Sequence, residues 1–173
     1  MKAGDLVDHI IRRSDVSQRF IIAIAGPPGS GKSTLSEQLV TMLKARSRHS
    51  RIISMDGFHL ENSTLKRLGL FDKKGSPTTF DVPAFIQVMK RLAAYESDVA
   101  IPMFDRKKDI TIENASIVST QDKILIVEGN YLLLNDKQWV ELQDIWDETV
   151  FINPGMDILK KRLIDRWLSY GMD

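Results

Sequence analysis

The chain has 173 residues, 43% of them apolar and 27% charged, with a formal net charge of +1 and no cysteine. That length suits one soluble domain of roughly 100 to 200 residues, the small net charge gives no general pull toward nucleic acid or anionic membrane, and the missing thiols exclude disulfides, thiolate metal sites and cysteine nucleophiles. No run approaches the roughly 18 apolar residues of a membrane span, and charges scattered through residues 1–14 replace the apolar stretch of a secretory leader, so a cytoplasmic location is expected.

Leu6, Val7, Ile10 and Ile11 recur at helical spacing and predict an amphipathic helix within residues 1–18, ahead of the main fold. Phe20-Ile21-Ile22-Ala23-Ile24-Ala25 is a short unbroken apolar run, the pattern of a strand covered on both faces in a parallel sheet. After a glycine-rich turn, Leu35, Leu39, Met42 and Leu43 give one apolar face to a helix over 33–46. The basic residues that end it, Lys44, Arg46, Arg48 and Arg51, read as a solvated terminus that complements the helix dipole. Residues 51–55 form a second, shorter strand, broken by Asp56-Gly57. Residues 61–79, with their glycines and proline and the Lys73-Lys74 pair, read as a loop with one short helical turn.

Asp81 can cap a helix that has Pro83 in its first turn and Phe85, Val88, Met89, Leu92 and Ala93 on its buried face, down to Tyr95. Pro102 makes residues 99–104 a short edge strand, and residues 123–127 are the clearest buried strand after the first. A helix over 138–146 and a last strand over 148–152 follow. Pro154 then opens a helix carrying Ile158, Leu159, Leu163, Ile164, Trp167 and Leu168 to Gly171. Strands alternating with helices argue a three-layer α/β fold, with a mainly parallel sheet and helices on both faces. Its site lies outside the carboxyl ends of the strands.

Gly26-Pro27-Pro28-Gly29-Ser30-Gly31-Lys32-Ser33 fits the P-loop pattern G-x-x-x-x-G-K-[ST], with Thr34 following, and stands between a buried strand and a helix as that pattern requires. The glycines let backbone N–H groups turn toward phosphate oxygens, the positive helix end faces the same anion, Lys32 reaches the β and γ phosphates, and Ser33 is placed to ligate Mg²⁺. ATP and Mg²⁺ are therefore the expected cofactors. Neither Asn135-Asp136-Lys137 nor Phe71-Asp72-Lys73 supplies the guanine-binding signature of Ras-type GTPases.

Glu128 ends its strand where P-loop proteins keep a second metal-side acid, usually aspartate. Asp56 ends another strand on the same rim, where a carboxylate can accept the proton of an attacking hydroxyl; the alternative is a plain Asp-Gly turn. Arg106, within Phe104-Asp105-Arg106-Lys107-Lys108-Asp109, either orients phosphate or substrate or belongs to a solvated charge run. Arg162 and Arg166, four apart, share a helix face, as a phosphate-gripping pair or as ordinary surface arginines. His9 and His49 show no partner in the sequence.

With the P-loop, Met55-Asp56-Gly57-Phe58-His59, Lys74-Gly75-Ser76-Pro77-Thr78-Thr79-Phe80-Asp81, Pro102-Met103-Phe104-Asp105-Arg106 and Val127-Glu128-Gly129-Asn130-Tyr131-Leu132-Leu133 in order, the chain from about Phe20 onward resembles the uridine kinase, pantothenate kinase and phosphoribulokinase superfamily. It is most similar to a nucleoside/nucleotide kinase-like branch that includes fructose-transport-system kinases. The resemblance implies one P-loop kinase domain over residues 1–173, which moves the γ-phosphoryl group of ATP to a hydroxyl of a small polar metabolite: a sugar, a pantothenate-like compound or a nucleoside. The alternative is a catalytically silent ATP-binding or interaction module.

On the same resemblance, Lys32 and Ser33 serve ATP and Mg²⁺, Asp56 is the base, Glu128 assists the metal, Arg162 and Arg166 belong to the lid, and His59, Phe80 and Arg106 line the acceptor pocket. Uridine kinases carry Asp-Ser-Phe-Tyr and Tyr-Asp-Phe where this chain has Asp-Gly-Phe-His and Phe-Asp-Arg, which argues against uridine. Family members usually continue past the helix of Arg166, whereas this chain stops at Gly171-Met172-Asp173, so a shortened lid without the last strand is expected. The expected partner is a small-molecule substrate, with neither nucleic acid nor membrane, and a homodimer is left open.

Overall fold

The computed structural model describes residues 2–169, apart from the side chains of residues 166, 167 and 169. Its elements run α1 (Ala3–Ser14), β1 (Phe20–Ala25), α2 (Lys32–Ala45), β2 (Ser50–Ser54), α3 (Asn62–Arg67), α4 (Val82–Ala93), β3 (Val99–Asp105), β4 (Ile110–Val118), β5 (Ile124–Gly129), β6 (Glu148–Phe151) and α5 (Met156–Ser169). Four strands form one sheet in the order β2-β5-β1-β6, and every pairing in it is parallel.

All six residues of β1 and all six of β5 are buried, as their continuous apolar sequences require. The two-residue period of a strand divides them between two cores. Phe20, Ile22 and Ile24 pack with Leu39 and Leu43 of α2 and with Leu6, Val7 and Ile10 of α1. Ile21, Ala23 and Ala25 face the other way, toward Phe85, Met89 and Leu92 of α4. Helices therefore cover both faces, and the three-layer expectation holds. Asp81 caps α4 as its sequence suggests, its Oδ1 accepting from the Ala84 N–H at 3.0 Å.

Two stretches depart from the sequence reading. Residues 99–104 do form a strand, but β3 pairs with β4, a strand the sequence reading missed, in a separate antiparallel hairpin whose register shifts at Pro102. The proline has no N–H to give the ladder, so the pairing breaks where the chain supplies no donor. Most of β4 is exposed, which removes the apolar alternation by which a strand is usually recognised. The helix expected over 138–146 is instead a 3₁₀ turn, Val140–Leu142, flanked by other turns. Trp139 and Leu142 are fully buried with Ile145 packed against them, and this spacing of three suits a 3₁₀ turn better than an α-helix.

At the chain's amino end, α1 is part of the core. Leu6, Val7 and Ile10 are at most 5% exposed, and Asp8–Arg46 and Asp15–Arg48 ion pairs, both 2.6 Å, tie the helix and its end to the terminus of α2. Such exposed pairs add little energy each, so apolar burial dominates the docking. Lys44, Arg46 and Arg48 thus form a solvated helix end with carboxylates beside it, whereas Arg51 belongs to β2, where its guanidinium meets Asp122 at 3.4 Å. Replacing Ile10, fully buried, by alanine is expected to lower unfolding free energy by about 2 to 5 kcal/mol in a urea titration. A loss below about 1 kcal/mol would show α1 to be an appendage and not core.

Candidate active site

Strand register brings the chemistry to one rim. In the sheet Ser54 stands beside Glu128, Ile24 stands beside Glu128 on the other flank, and Ala25 stands beside both Gly129 and Phe151. The chain leaves β1 at Gly26, so the P-loop begins level with the ends of β5 and β2. Gly31, at φ 101°, takes a left-handed conformation that a side chain would strain, just before α2 begins at Lys32.

Lys32 turns back over this loop. Its Nζ donates to the carbonyls of Gly26 and Pro27 at 2.9 and 3.1 Å and to Asn130 Oδ1 at 2.7 Å. Ser33 Oγ donates to Glu128 Oε2 at 3.0 Å, and Ser54 Oγ donates to Glu128 Oε1 at 2.9 Å. Glu128 is 7% exposed, so these two hydroxyls are what make its burial tolerable. Arg162 reaches down from α5, its Nη1 donating to the carbonyls of Gly29 and Ser30 at 3.2 and 3.0 Å. The side chain of Arg166 lies outside the described residues.

Asp56 sits in the 3₁₀ turn Met55–Phe58 that follows β2, and its N–H donates to Ser54 Oγ at 3.3 Å. Arg106, from the turn of the β3-β4 hairpin, donates through Nη2 to Asp56 Oδ2 at 2.6 Å. Gly57 explains how the hairpin comes so near: a Cβ there would lie 2.6 Å from the Pro102 carbonyl oxygen. Asp-Gly in this chain therefore serves backbone packing as well as turning.

A cleft of about 1090 Å³ runs over Gly29 to Thr34 and is also lined by Pro28, Asp56, Arg106, Glu128 and Arg162. A second cleft of about 530 Å³ lies between α2, β2 and the hairpin, lined by Ser50, Arg51, Ser54, Pro102 and Phe104 among others. Ser33, Asp56, Arg106 and Glu128 border both. The donor set suits the expected cofactors. Ser33 and Glu128 are hard oxygen donors for Mg²⁺, which takes one or two protein ligands alongside phosphate and water. Among the described residues no three histidines or acids converge into an all-protein cage. Ser30 Oγ is buried without a protein partner beneath the cradle.

His59 and Phe80 are placed differently from the residues around them. Phe80 is 5% exposed, and the His59 ring packs on it at 4.1 Å and on Phe104 at 4.7 Å. Neither residue lines the two clefts. His59 Nδ1 lies 2.8 Å from the Asp56 carbonyl oxygen, which can only accept, so Nδ1 carries the proton. Lys74 joins Asp109 at 2.8 Å and Asn62 at 2.6 Å beside this aromatic group. His9, which shows no partner in the sequence, pairs with Glu148 at 2.7 Å and holds that carboxyl below the usual range. Ser54 and Asn130 went unassigned in the sequence reading. Their one signal is position: each stands within two residues of an acid at a strand end.

Residues 21–170 match the Phosphoribulokinase / Uridine kinase family. The Escherichia coli K12 protein YggC, itself uncharacterized, is 36% identical over 157 residues, which make up 90% of this chain and 65% of that protein. A Schizosaccharomyces pombe protein named as a candidate uridine kinase is 33% identical over 180 residues, 99% of this chain and 73% of its own. A solved structure from Silicibacter sp. TM1040, described as a candidate fructose transport system kinase, shares 39% identity and a TM-score of 0.94 over 100% of this chain and 84% of that one. The chain spans about half the length of the pantothenate kinases that it also matches. No helix among the described residues is long and apolar enough to cross a membrane.

Burial lowers the pKa of His59 below its ordinary 6.5, against the opposing pull of Asp56 and with help from Lys74. A folded-state pKa below the unfolded one makes His59 a source of stability above about pH 6.5 that is lost as pH falls toward the folded value. Wild type should therefore lose more stability between pH 7 and pH 5 than His59→Phe, in paired urea titrations. Equal losses would show that the ring is not held neutral by its surroundings.

Proposed function

Because the chain belongs to the Phosphoribulokinase / Uridine kinase family, we propose that it transfers the γ-phosphoryl group of ATP to a hydroxyl of a small polar metabolite. One observation carries this reading: the P-loop, Glu128 and Asp56 border a single rim where two clefts meet. A donor cleft and an acceptor cleft sharing a carboxylate is what in-line transfer needs, since the reaction calls mainly for positioning and charge stabilisation.

In this reading the P-loop N–H groups and Lys32 hold the β and γ phosphates, and Lys32 leaves the carbonyls of Gly26 and Pro27 to do so. Ser33 and Glu128 hold Mg²⁺, which when bound offsets the charge of the β and γ phosphate oxygens. Asp56 accepts the proton of the attacking hydroxyl, and Arg106 keeps its carboxylate turned toward the junction of the clefts. Arg162 adds positive charge above the loop where charge develops during transfer.

The acceptor is polar. The second cleft offers the hydroxyls of Ser54 and Ser116 and the guanidinium groups of Arg51 and Arg106, set among the apolar side chains of Val40, Ile52, Ile101 and Met103. The rings of His59 and Phe80 are spent on each other, and of that aromatic group only Phe104 borders the cleft. A base-stacking nucleoside site would want free rings at that position. Sugars, sugar phosphates and hydroxy acids match the lining better, and a purine or pyrimidine nucleoside matches it less well.

Two variants and one screen test the assignment. Lys32→Ala should abolish measurable ADP release with any acceptor. Asp56→Asn should lower kcat by about 100-fold or more while ATP affinity stays within about twofold, because shape survives and proton acceptance does not. A coupled assay over sugars, sugar phosphates, hydroxy acids, pantothenate and nucleosides should give its highest kcat/KM outside the nucleosides. Near-normal kcat in Asp56→Asn would reduce Asp56 to a turn residue, and uridine or cytidine as best substrate would overturn the polar-acceptor reading.

A further inference from the structure

The larger cleft is longer than a triphosphate cradle. Beyond Thr34 it continues past Gln38 of α2, Phe151 and Asn153 at the end of β6, and Lys2, Ala3 and Leu6 at the amino end of α1. Gln38 lies four residues beyond Thr34, about 6 Å along the helix axis at 1.5 Å per residue. With the phosphates fixed at the P-loop, the part of the nucleotide left to fill this end is the sugar and the base.

We infer that α1, which precedes residues 21–170 by which the family is recognised, forms a wall of the nucleobase site. The inference rests on the reading of the P-loop as an ATP site. Val150 and Ile152, which also line the cleft, pack their side chains on the α1 and α2 side of the sheet and give an apolar surface for the face of a planar base, whereas the Phe151 ring, level with Ala25, turns to the α4 side.

At this end α1 offers Ala3, whose small side chain leaves room, and Lys2, while the Gln38 amide presents both donors and acceptors to a base edge. The wall is preformed. Leu6, Val7 and Ile10 anchor α1 in the core, Asp8 joins Arg46 at 2.6 Å, and His9 joins Glu148 on β6 at 2.7 Å, two residues before Val150. A nucleotide entering here meets a site that needs no ordering of the helix, which favours affinity.

Calorimetry with two probes in the presence of Mg²⁺ isolates this claim: ATP reads the whole cleft, and inorganic tripolyphosphate reads the phosphate cradle alone. In the full chain, Ala3→Trp fills the base end and is expected to weaken ATP by about tenfold or more. Tripolyphosphate should change by less than about twofold, with melting temperatures unchanged. Where Ala3→Trp melts earlier, Lys2→Trp at the exposed neighbouring position replaces it. Unchanged ATP affinity in the α1 variant overturns the inference, as does equal weakening of both probes. Wild-type protein that binds neither probe would sink the ATP reading itself and this inference with it.

Discussion

One carboxylate with almost no access to water receives two hydroxyl hydrogen bonds, from Ser33 at 3.0 Å and from Ser54 at 2.9 Å. Ser33 belongs to the first turn of α2 and Ser54 to the end of β2, so Glu128 joins the helix that carries the P-loop to the strand that leads to Asp56. Hydrogen bonds to an ionised group are stronger than neutral ones, and a buried charge left without them would be costly. A carboxylate has about four acceptor positions, and two remain for a cation on the cleft side. The P-loop and the turn that carries Asp56 are thereby held in one geometry by the same side chain.

The sheet sets that geometry. Since β1 divides its side chains between the α1/α2 face and the α4 face, neither core can shift without moving the strand from which the P-loop springs. Close packing makes such a strand a rigid base for the glycine-rich loop that follows it. The hairpin is the outer arm. It approaches because Gly57 admits the Pro102 carbonyl, and its reward is the 2.6 Å contact of Arg106 with Asp56. An arginine that reaches Asp56 from a hairpin turn, outside the parallel sheet, borders both clefts at once.

Much of this was legible in the chain itself, for local reasons. The strands β1 and β5 announce themselves as unbroken apolar runs because both faces are covered, and α4 because its cap, its proline and its apolar spacing agree. The P-loop was legible because its residues are consecutive and each answers a local demand of phosphate binding. Exposed β4 left no apolar alternation to read, and the 138–146 segment packs Trp139 and Leu142 with a period that a helix would not use. At the site, Ser54 and Asn130 went unassigned because what matters is the register of β2 and β5 at one rim, a relation between segments far apart in the chain. His59 read as a pocket residue in the sequence, and tertiary packing turned its ring toward Phe80 and Phe104 instead.

The central claim is that Glu128 binds the nucleotide's metal as well as tying the rim together. Glu128→Gln keeps the shape and removes the charge, so the direct measurement is the gain in ATP affinity on adding Mg²⁺, by calorimetry, in wild type and in this variant. The account predicts that the gain falls by about 10- to 100-fold in the variant, the range seen when a group supporting a metal is lost, while ATP affinity in EDTA does not fall. An identical Mg²⁺ gain in both proteins would contradict it and leave Glu128 as a structural tie alone.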